Sequence, residues 1–540
     1  MQTPEFKKLS KELKANLSQL IEKRSTWENH WQEVADYFFT RKADVNTQRT
    51  RGDKRNIQIF DSSAIHSLEL LASSLHGTLT SSANRWFSLR FKEAAINDDD
   101  SSREWLEDTT DRMYLAFSRS NFQQEIFESY HDLIAFGTSC VMIEEDDDDI
   151  VRFSSRHIKE IYIAEDARGM VNCIYRRFKI SAKAAVEKFG FDNLSRSIQN
   201  TFKNTPFEDV ELCHVVKPRD MYNPKKLDKS NMPFFSAYFE YNDDHIISIS
   251  GFREFPYVVP RYLKGSNEVW GRSPAMAALP DVKVLNKMVE ISLKAAAKQV
   301  DPPLLVPDDS FTLPVRMSPG SINFFRAGSR DRIEPLNIGA NNPLGLNMED
   351  QRRKSISRTF HVDQLMIQES RAMTATEVMS RNEEKMRIIG PVMSRLQSEL
   401  LQPLIIRVFS IMLRNKLLLP PPDILQGQEI EVEYVSPLAI AQKSTELSSI
   451  MRGLEVFGSI SQVTPIQDWL NEKGLVKQII KVLGLPAKMI NSDAEVEEIK
   501  ATRQEQQAQQ ADMMQAMQEA KVAKDAAPMV QTLNDTTNKQ

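Results

Sequence analysis

Arg352-Arg353-Lys354 together with Arg358 place four positive charges on one short predicted helix, about Met348–Phe360, and could contact phosphate. The three arginines offer planar forks suited to bidentate bonding, whereas Lys354 acts as a point charge. A solvated face or an inter-subunit salt bridge would account for the same residues. Two acidic runs compete for attention. Glu144–Asp149 is six consecutive acids, a ligand type that suits Mg²⁺ and hence a metal-dependent nuclease. On a hairpin tip, however, successive side chains point to both sides and into water, so a solvated turn is the expected arrangement. Asp98-Asp99-Asp100 stands ahead of Ser101 and Ser102 and reads as an acidic helix start, favourable to the helix dipole. The other reactive types are dispersed. There is no GxxxxGK[ST] loop, no HExxH and no GxSxG, and no two of the eight His lie at i, i+4. Cys140, Cys173 and Cys213 are too few and too far apart for a disulfide framework or a paired zinc site, and fit reduced core thiols. The reading is of a non-enzymatic protein with no catalytic residues, no metal and no cofactor.

The elements that must position these groups follow from periodicity. The 540 residues suggest three or four domains' worth of chain, and 41% hydrophobic with 26% charged residues is enough to bury a core. Lys plus Arg number 69 against 74 Asp plus Glu, a formal charge of -5, which excludes a wholly basic DNA coat. The amino terminus lacks a signal-peptide core, and the most apolar segment, Leu400–Leu413, is cut by Pro403 and Arg407, so a soluble protein is expected. Helices are predicted over 4–38, after Asp61, over 102–119 and over 122–136, with a strand over 85–91. From Thr138 to Tyr262 the period becomes two: a hairpin around Asp146–Asp149, a second around Asp166–Gly169, then strands near 210–216, 234–241, 245–250 and 257–262. This is a mostly antiparallel sheet with a short helix at 181–189. A helix over 282–300 ends at Asp301-Pro302-Pro303. A capping box, Thr374-x-x-Glu377, opens a long helix to 414 that Gly390-Pro391 and Pro403 should bend. A strand at 429–435 and helices near 438–457, 464–471 and 474–483 follow. The Gln- and Ala-rich end of the chain has no aromatic residue after Trp469 and can form only a lone polar helix.

Several strings, in order, resemble the portal proteins (head-to-tail connectors) of short-tailed bacteriophages. They are Leu71-Ala-Ser-Ser-Leu75 leading into Arg85-Trp-Phe-Ser-Leu89, the turn Asp166-Ala-Arg-Gly169, Phe255-Pro-Tyr-Val-Val-Pro-Arg261 and Trp270-Gly-Arg-Ser-Pro274. Ala278-Leu-Pro-Asp281 with Leu285-Asn286, Met373-Thr-Ala-Thr-Glu-Val378, Leu401-Gln-Pro-Leu404 and Ser436-Pro-Leu438 continue the series. The likeness spans about residues 5–460. It implies an α+β, mainly helical portal fold, assembled as a ring of usually twelve subunits at one capsid vertex. In order, 1–270 would be wing, 271–300 the first stem helix, 301–347 the clip and 348–362 the second stem helix. Residues 363–373 would be the tunnel loop, 374–440 a long kinked helix and return strand of the wing, 441–500 the crown and 501–540 a tail.

The resemblance also implies that double-stranded DNA passes without sequence preference during packaging and ejection. Implied partners are the terminase large subunit, scaffolding and major capsid proteins and tail adaptor proteins, with no membrane, in the virion and, during assembly, the host cytoplasm. The residues facing DNA would be Gln364, Leu365, Met366, Ile367, Gln368, Glu369, Ser370 and Arg371, with Arg352, Arg353, Lys354 and Arg358 as further channel residues. A mostly uncharged loop suits that task, because duplex brings one phosphate charge per ~1.7 Å and a strongly basic wall would hold it. The alternatives are another virion ring or adaptor protein, and the nuclease built on Glu144–Asp149.

Overall fold

The computed structural model describes residues 4–47, 49–50, 52–55, 58–93, 99–223, 226, 228–301, 304–305, 322, 324, 334–335, 343–362, 389–422, 430–434, 449–453, 474–476, 479 and 493–537. They form two compact units. The first comprises residues 1–86, 113–417 and 436–438, and the second 87–112, 418–435 and 439–540.

The first unit opens with α1 (Pro4–Phe38), one uninterrupted helix as its apolar stripe requires. Leu13 and Leu17 lie on one face of a five-stranded antiparallel sheet, against Tyr175, Cys213, Val215, Ala237 and Phe239. Burying each leucine contributes roughly 1.5–3 kcal/mol. The strands are β4 (Ile161–Glu165), β5 (Val171–Ser181), β6 (Asp209–Pro218), β7 (Phe234–Glu240) and β8 (Ile246–Phe252), in that spatial order. Their alternate residues Phe178, Leu212 and Ile247 point the other way and pack with Ala185, Leu194 and Ile198. Those come from or beside α5 (Ala182–Phe189) and α6 (Arg196–Asn204), each capped by a serine, Ser181 and Ser195. Gly169 takes φ 79° in the β4–β5 turn, the left-handed conformation the turn needs.

A second sheet has the order β3-β2-β9, from β2 (Val141–Asp146), β3 (Ile150–Ser155) and β9 (Tyr257–Val258). The expected strand 257–262 is thus a two-residue strand and a separate bridge from Arg261 to Thr138, interrupted where Pro256 and Pro260 have no N–H to give. Helix α4 (Phe122–Phe136) packs beside it, and α2 (Ser63–Leu79) packs on α4. Every residue of α4 from Ser129 to Phe136 is buried. Gly137 ends it at φ 77°, and a Cβ there would run into the backbone of Gly271. The Trp270–Pro274 string is conspicuous for this reason: Gly271 N–H bonds Thr138 Oγ1 at 2.8 Å, and Ser273 Oγ bonds Ala135 O at 2.8 Å.

The same unit holds α7 (Pro274–Val300), α8 (Pro343–Thr359) and α9 (Ile389–Arg414). Helix α8 begins at Pro343, five residues before the sequence pattern placed it. Helix α9 is long and apolar enough to cross a membrane by length and composition, yet Leu396, Leu400, Leu404, Ile405, Val408 and Ile411 are buried in the unit. It widens into a π turn at Gln397–Leu401 just ahead of Pro403, whose nitrogen cannot bond back along the helix. The two-residue strands β10 (Leu304–Leu305) and β11 (Glu334–Pro335) pair antiparallel inside the segment expected to be the clip. The three cysteines are free. Burial pushes the Cys140 and Cys213 thiols up to about 12 and Cys173 to about 11, as inert core thiols require.

In the second unit β1 (Phe87–Phe91) pairs antiparallel with β12 (Ile430–Tyr434) from Phe87↔Tyr434 to Phe91↔Ile430. Helix α3 (Asp100–Arg119) contributes its first turns, where Trp105 stacks on Phe91 and donates to Leu419 O at 2.9 Å. Asp99 begins α3 by accepting from Ser102 N–H at 3.1 Å, the role expected of that acidic run. Helix α10 (Asp493–Thr537) is the lone polar helix expected of the chain's end. The capping box Thr374–Glu377, the tunnel loop and most of the expected crown lie outside the described residues.

Candidate nucleic-acid interface

Ser273 caps α7 by accepting from Met276 N–H at 3.0 Å, with Pro274 in the first turn. The helix then divides. Ala275, Met276, Ala278, Leu279, Val282, Leu285 and Asn286 are buried, whereas nearly everything after Glu290 is exposed. Ile291 and Leu293 each remain 55% exposed. In α8, Ile356 and the following Phe360 are buried, and the Phe360 ring lies 5.7 Å from that of Phe38.

The basic cluster is split by the geometry of α8. Arg352 Nη1 bonds Asp281 Oδ1 on α7 at 2.6 Å, and Ser355 Oγ donates to the other oxygen of the same carboxylate at 2.7 Å. Arg353 Nε bonds Asp61 Oδ2 at 2.9 Å ahead of α2, while its Nη1 reaches Asp350 at 2.9 Å. Burial would raise the Asp61 carboxyl, but the hydrogen bonds from Ser63 and from the Arg353 guanidinium hold it below its ordinary value. Glu349, buried between the helices, accepts from Ser292 Oγ at 2.7 Å. Arg352 and Arg353 are therefore engaged within the chain. Lys354 and Arg358, one helical turn apart, are exposed and have no ion pair or side-chain hydrogen bond among the described residues. On α7, Lys287 and Lys294 both bind Glu290, at 3.0 and 2.5 Å.

The other candidates fall as follows. Gln364, Leu365, Met366, Ile367, Gln368, Glu369, Ser370 and Arg371 lie outside the described residues. The acidic run is the end of β2 and the turn after it: Asp146 Oδ1 accepts from Asp148 N–H at 2.9 Å, and Glu145 pairs with Arg414 at 2.9 Å. Among the described residues, no three His, Cys, Asp or Glu side chains are grouped to hold a metal. The carboxylates Asp281, Asp61 and Glu349 were not legible as partners, since they meet the basic helix only through the fold.

The site is a helical pair, α7 and α8, that leaves Lys354 and Arg358 exposed, and the comparisons say to which class of protein the chain belongs. The chain belongs to the bacteriophage head-to-tail connecting, or portal, proteins: the family model described as bacteriophage head to tail connecting protein matches residues 10–490. It is 32% identical over 502 residues to the portal protein of Salmonella phage epsilon15, covering 90% of each chain. It is also 32% identical over 498 residues to the probable portal protein of Bordetella phage BPP-1, covering 90% of this chain and 89% of that one. A solved neck of an empty gene transfer agent particle is 10% identical, with a TM-score of 0.35 over 75% of this chain and 91% of that one. That degree of overlay carries no argument.

Proposed function

We propose that copies of this chain, twelve of them, close a ring at one capsid vertex through which double-stranded DNA is packaged and later ejected. The role is structural: a separate terminase drives the DNA, and scaffolding, major capsid and tail adaptor proteins dock on the ring. In this reading α7 and α8 from residue 348 onward form the stem, and 301–347, which includes the first turn of α8, the clip. Residues 364–371 form the loop that touches DNA, and 441–500 the crown. The observation that carries it is the outer half of α7, whose apolar Ile291 and Leu293 each stay 55% exposed among the described residues. A neighbouring copy is the cover that a ring supplies.

Lys354 and Arg358 are the cations of the cluster left for phosphate, and two such charges guide duplex without gripping it. Purified protein imaged by negative stain or weighed by mass photometry should form an annular oligomer. A persistent monomer of 61.8 kDa at every salt concentration rules the ring out. Within assembled rings, replacing Lys354 and Arg358 by Gln should leave assembly intact and lower the salt sensitivity of DNA passage or retention. Loss of the ring would instead assign both to subunit packing.

A further inference from the structure

A cleft of about 370 Å³ opens in the first unit between the end of β2, the end of β8 and α9. Lys229, Arg253, Arg407 and Arg414 line it, along with Glu144 and Glu145. Its floor depends on Gly251, where a Cβ would meet Lys229 O and Met232 Cβ at 2.5 and 2.9 Å, so the turn carrying Lys229 closes directly onto β8.

Arg407 is the anomaly. It sits in the apolar run of α9, only 4% exposed. Nη1 bonds Glu254 Oε2 at 2.5 Å, but Nε is buried with no acceptor among the described residues. Glu254 is not its own: Arg414 takes both oxygens of that carboxylate, at 2.9 and 3.0 Å. Burial pulls the Arg407 guanidinium below its ordinary value; Glu254 opposes this, and Arg414 adds to it. Arg253 and Lys229, at the mouth, have no ion-pair partner among the described residues. Four cations therefore line the cleft, and only two of them, Arg407 and Arg414, are paired there, with Glu254 and Glu145. Buried charges are ordinarily met by a full set of acceptors, and this set is short.

We propose that this cleft is an oxyanion-binding site that takes a phosphate group. A tetrahedral oxyanion offers three or four acceptor oxygens to donors arriving from α9, from the end of β8 and from the Lys229 turn. A single carboxylate offers two. Arginine forks suit phosphate bidentately, and such charge-assisted bonds are the strong ones. The inference is independent of ring formation, because every residue in it belongs to one chain.

The test uses the full-length protein with inorganic phosphate as the probe, read by calorimetry and by the melting temperature against chloride at matched ionic strength. Saturable binding with a rise in melting temperature is expected. The double variant Lys229→Gln, Arg253→Gln removes only exposed groups at the mouth. It should melt like the parent without phosphate and bind phosphate about tenfold more weakly. A phosphate response no larger than that to chloride, or equal affinity in the double variant, overturns the proposal. A short DNA duplex added as competitor distinguishes the source: displacement assigns the site to a backbone phosphodiester, and no displacement assigns it to free phosphate.

Discussion

Arg261, set against α9, and Arg407, on α9 itself, are both buried guanidinia, and the fold treats them in opposite ways. Arg261, 1% exposed, spends its fork on Glu399, with Nε to Oε2 and Nη2 to Oε1, each at 3.0 Å. Its Nη1 reaches Glu165 at 2.9 Å, its Nη2 also bonds Gly169 O at 2.7 Å, and its own backbone N–H returns to Glu399 at 3.0 Å. One side chain thus fastens the β4–β5 turn, the segment entering the Trp270 string and the π turn of α9. Arg407 has one shared carboxylate and an idle Nε–H. A buried charge whose donors are all met acts as a fastener, whereas one whose donors are not met marks a place for something else to bind. The difference lies in the carboxylates: Arg261 has two, Glu399 and Glu165, whereas Arg407 has Glu254 alone and divides it with Arg414.

The largest effect expected from this contrast is at Arg261. Arg261→Met leaves Glu399, its side chain 8% exposed, without a close cation: Arg395 at 3.5 Å and the backbone N–H of residue 261 remain. Orphaning a buried charge costs about 3–5 kcal/mol, which chemical denaturation of the full-length protein would report. A loss below about 1 kcal/mol would show that Arg261 fastens nothing. Next in size is Gly251→Ala, whose methyl also meets Phe234 O at 3.0 Å. Overpacking of this kind costs about 1–3 kcal/mol. Phosphate affinity should fall with it, because the added methyl pushes the Lys229 turn off β8.

How far these features could be read beforehand depended on sequence distance. Period and caps were enough for α1, α4 and the Gly169 hairpin, where the deciding residues are neighbours in the chain. Helix α6 escaped because its nine residues bury only Ile198, too little for a periodic signal, although the Ser195 cap was there to be seen. The basic run on α8 was visible as charge, but its meaning turned on Asp281, 71 residues away, and on Asp61, 292 away. Arg261 and Glu399 are 138 residues apart. Arg407 did stand out as a lone charge in an apolar helix, yet nothing local says that its carboxylate is shared.

A smaller effect sharpens the Arg261 side through pH. Burial would raise Glu165, but hydrogen bonds from Lys264 at 2.7 Å and from Arg261 hold its carboxyl below the ordinary 4.5. A carboxyl lowered in the folded state gives stability that is complete above its unfolded value and is lost as pH falls through its folded one. Glu165→Gln should therefore cost on the order of 1 kcal/mol at pH 7. That difference should hold from pH 7 to 5 and close only below 4.5, as paired denaturation curves would show. A difference that already shrinks between pH 7 and 6 would place the titration on another group.

The smallest effect on stability is expected where the comparison is most easily broken, at Arg407→Met. Removing this guanidinium deletes a desolvated charge and its idle Nε–H. Glu254 is not orphaned, because Arg414 keeps both of its bonds to it. The methionine fills much of the volume beside Phe252, over which the Arg407 guanidinium carbon lies 5.6 Å from the ring centroid. Replacing an under-compensated buried ion by an apolar side chain of similar size is often neutral or stabilising. The unfolding free energy should thus change by less than about 1 kcal/mol in either direction, while the phosphate-dependent rise in melting temperature disappears. Loss of several kcal/mol would make Arg407 a second fastener like Arg261. An unchanged response to phosphate would mean that the buried arginine takes no part in the cleft.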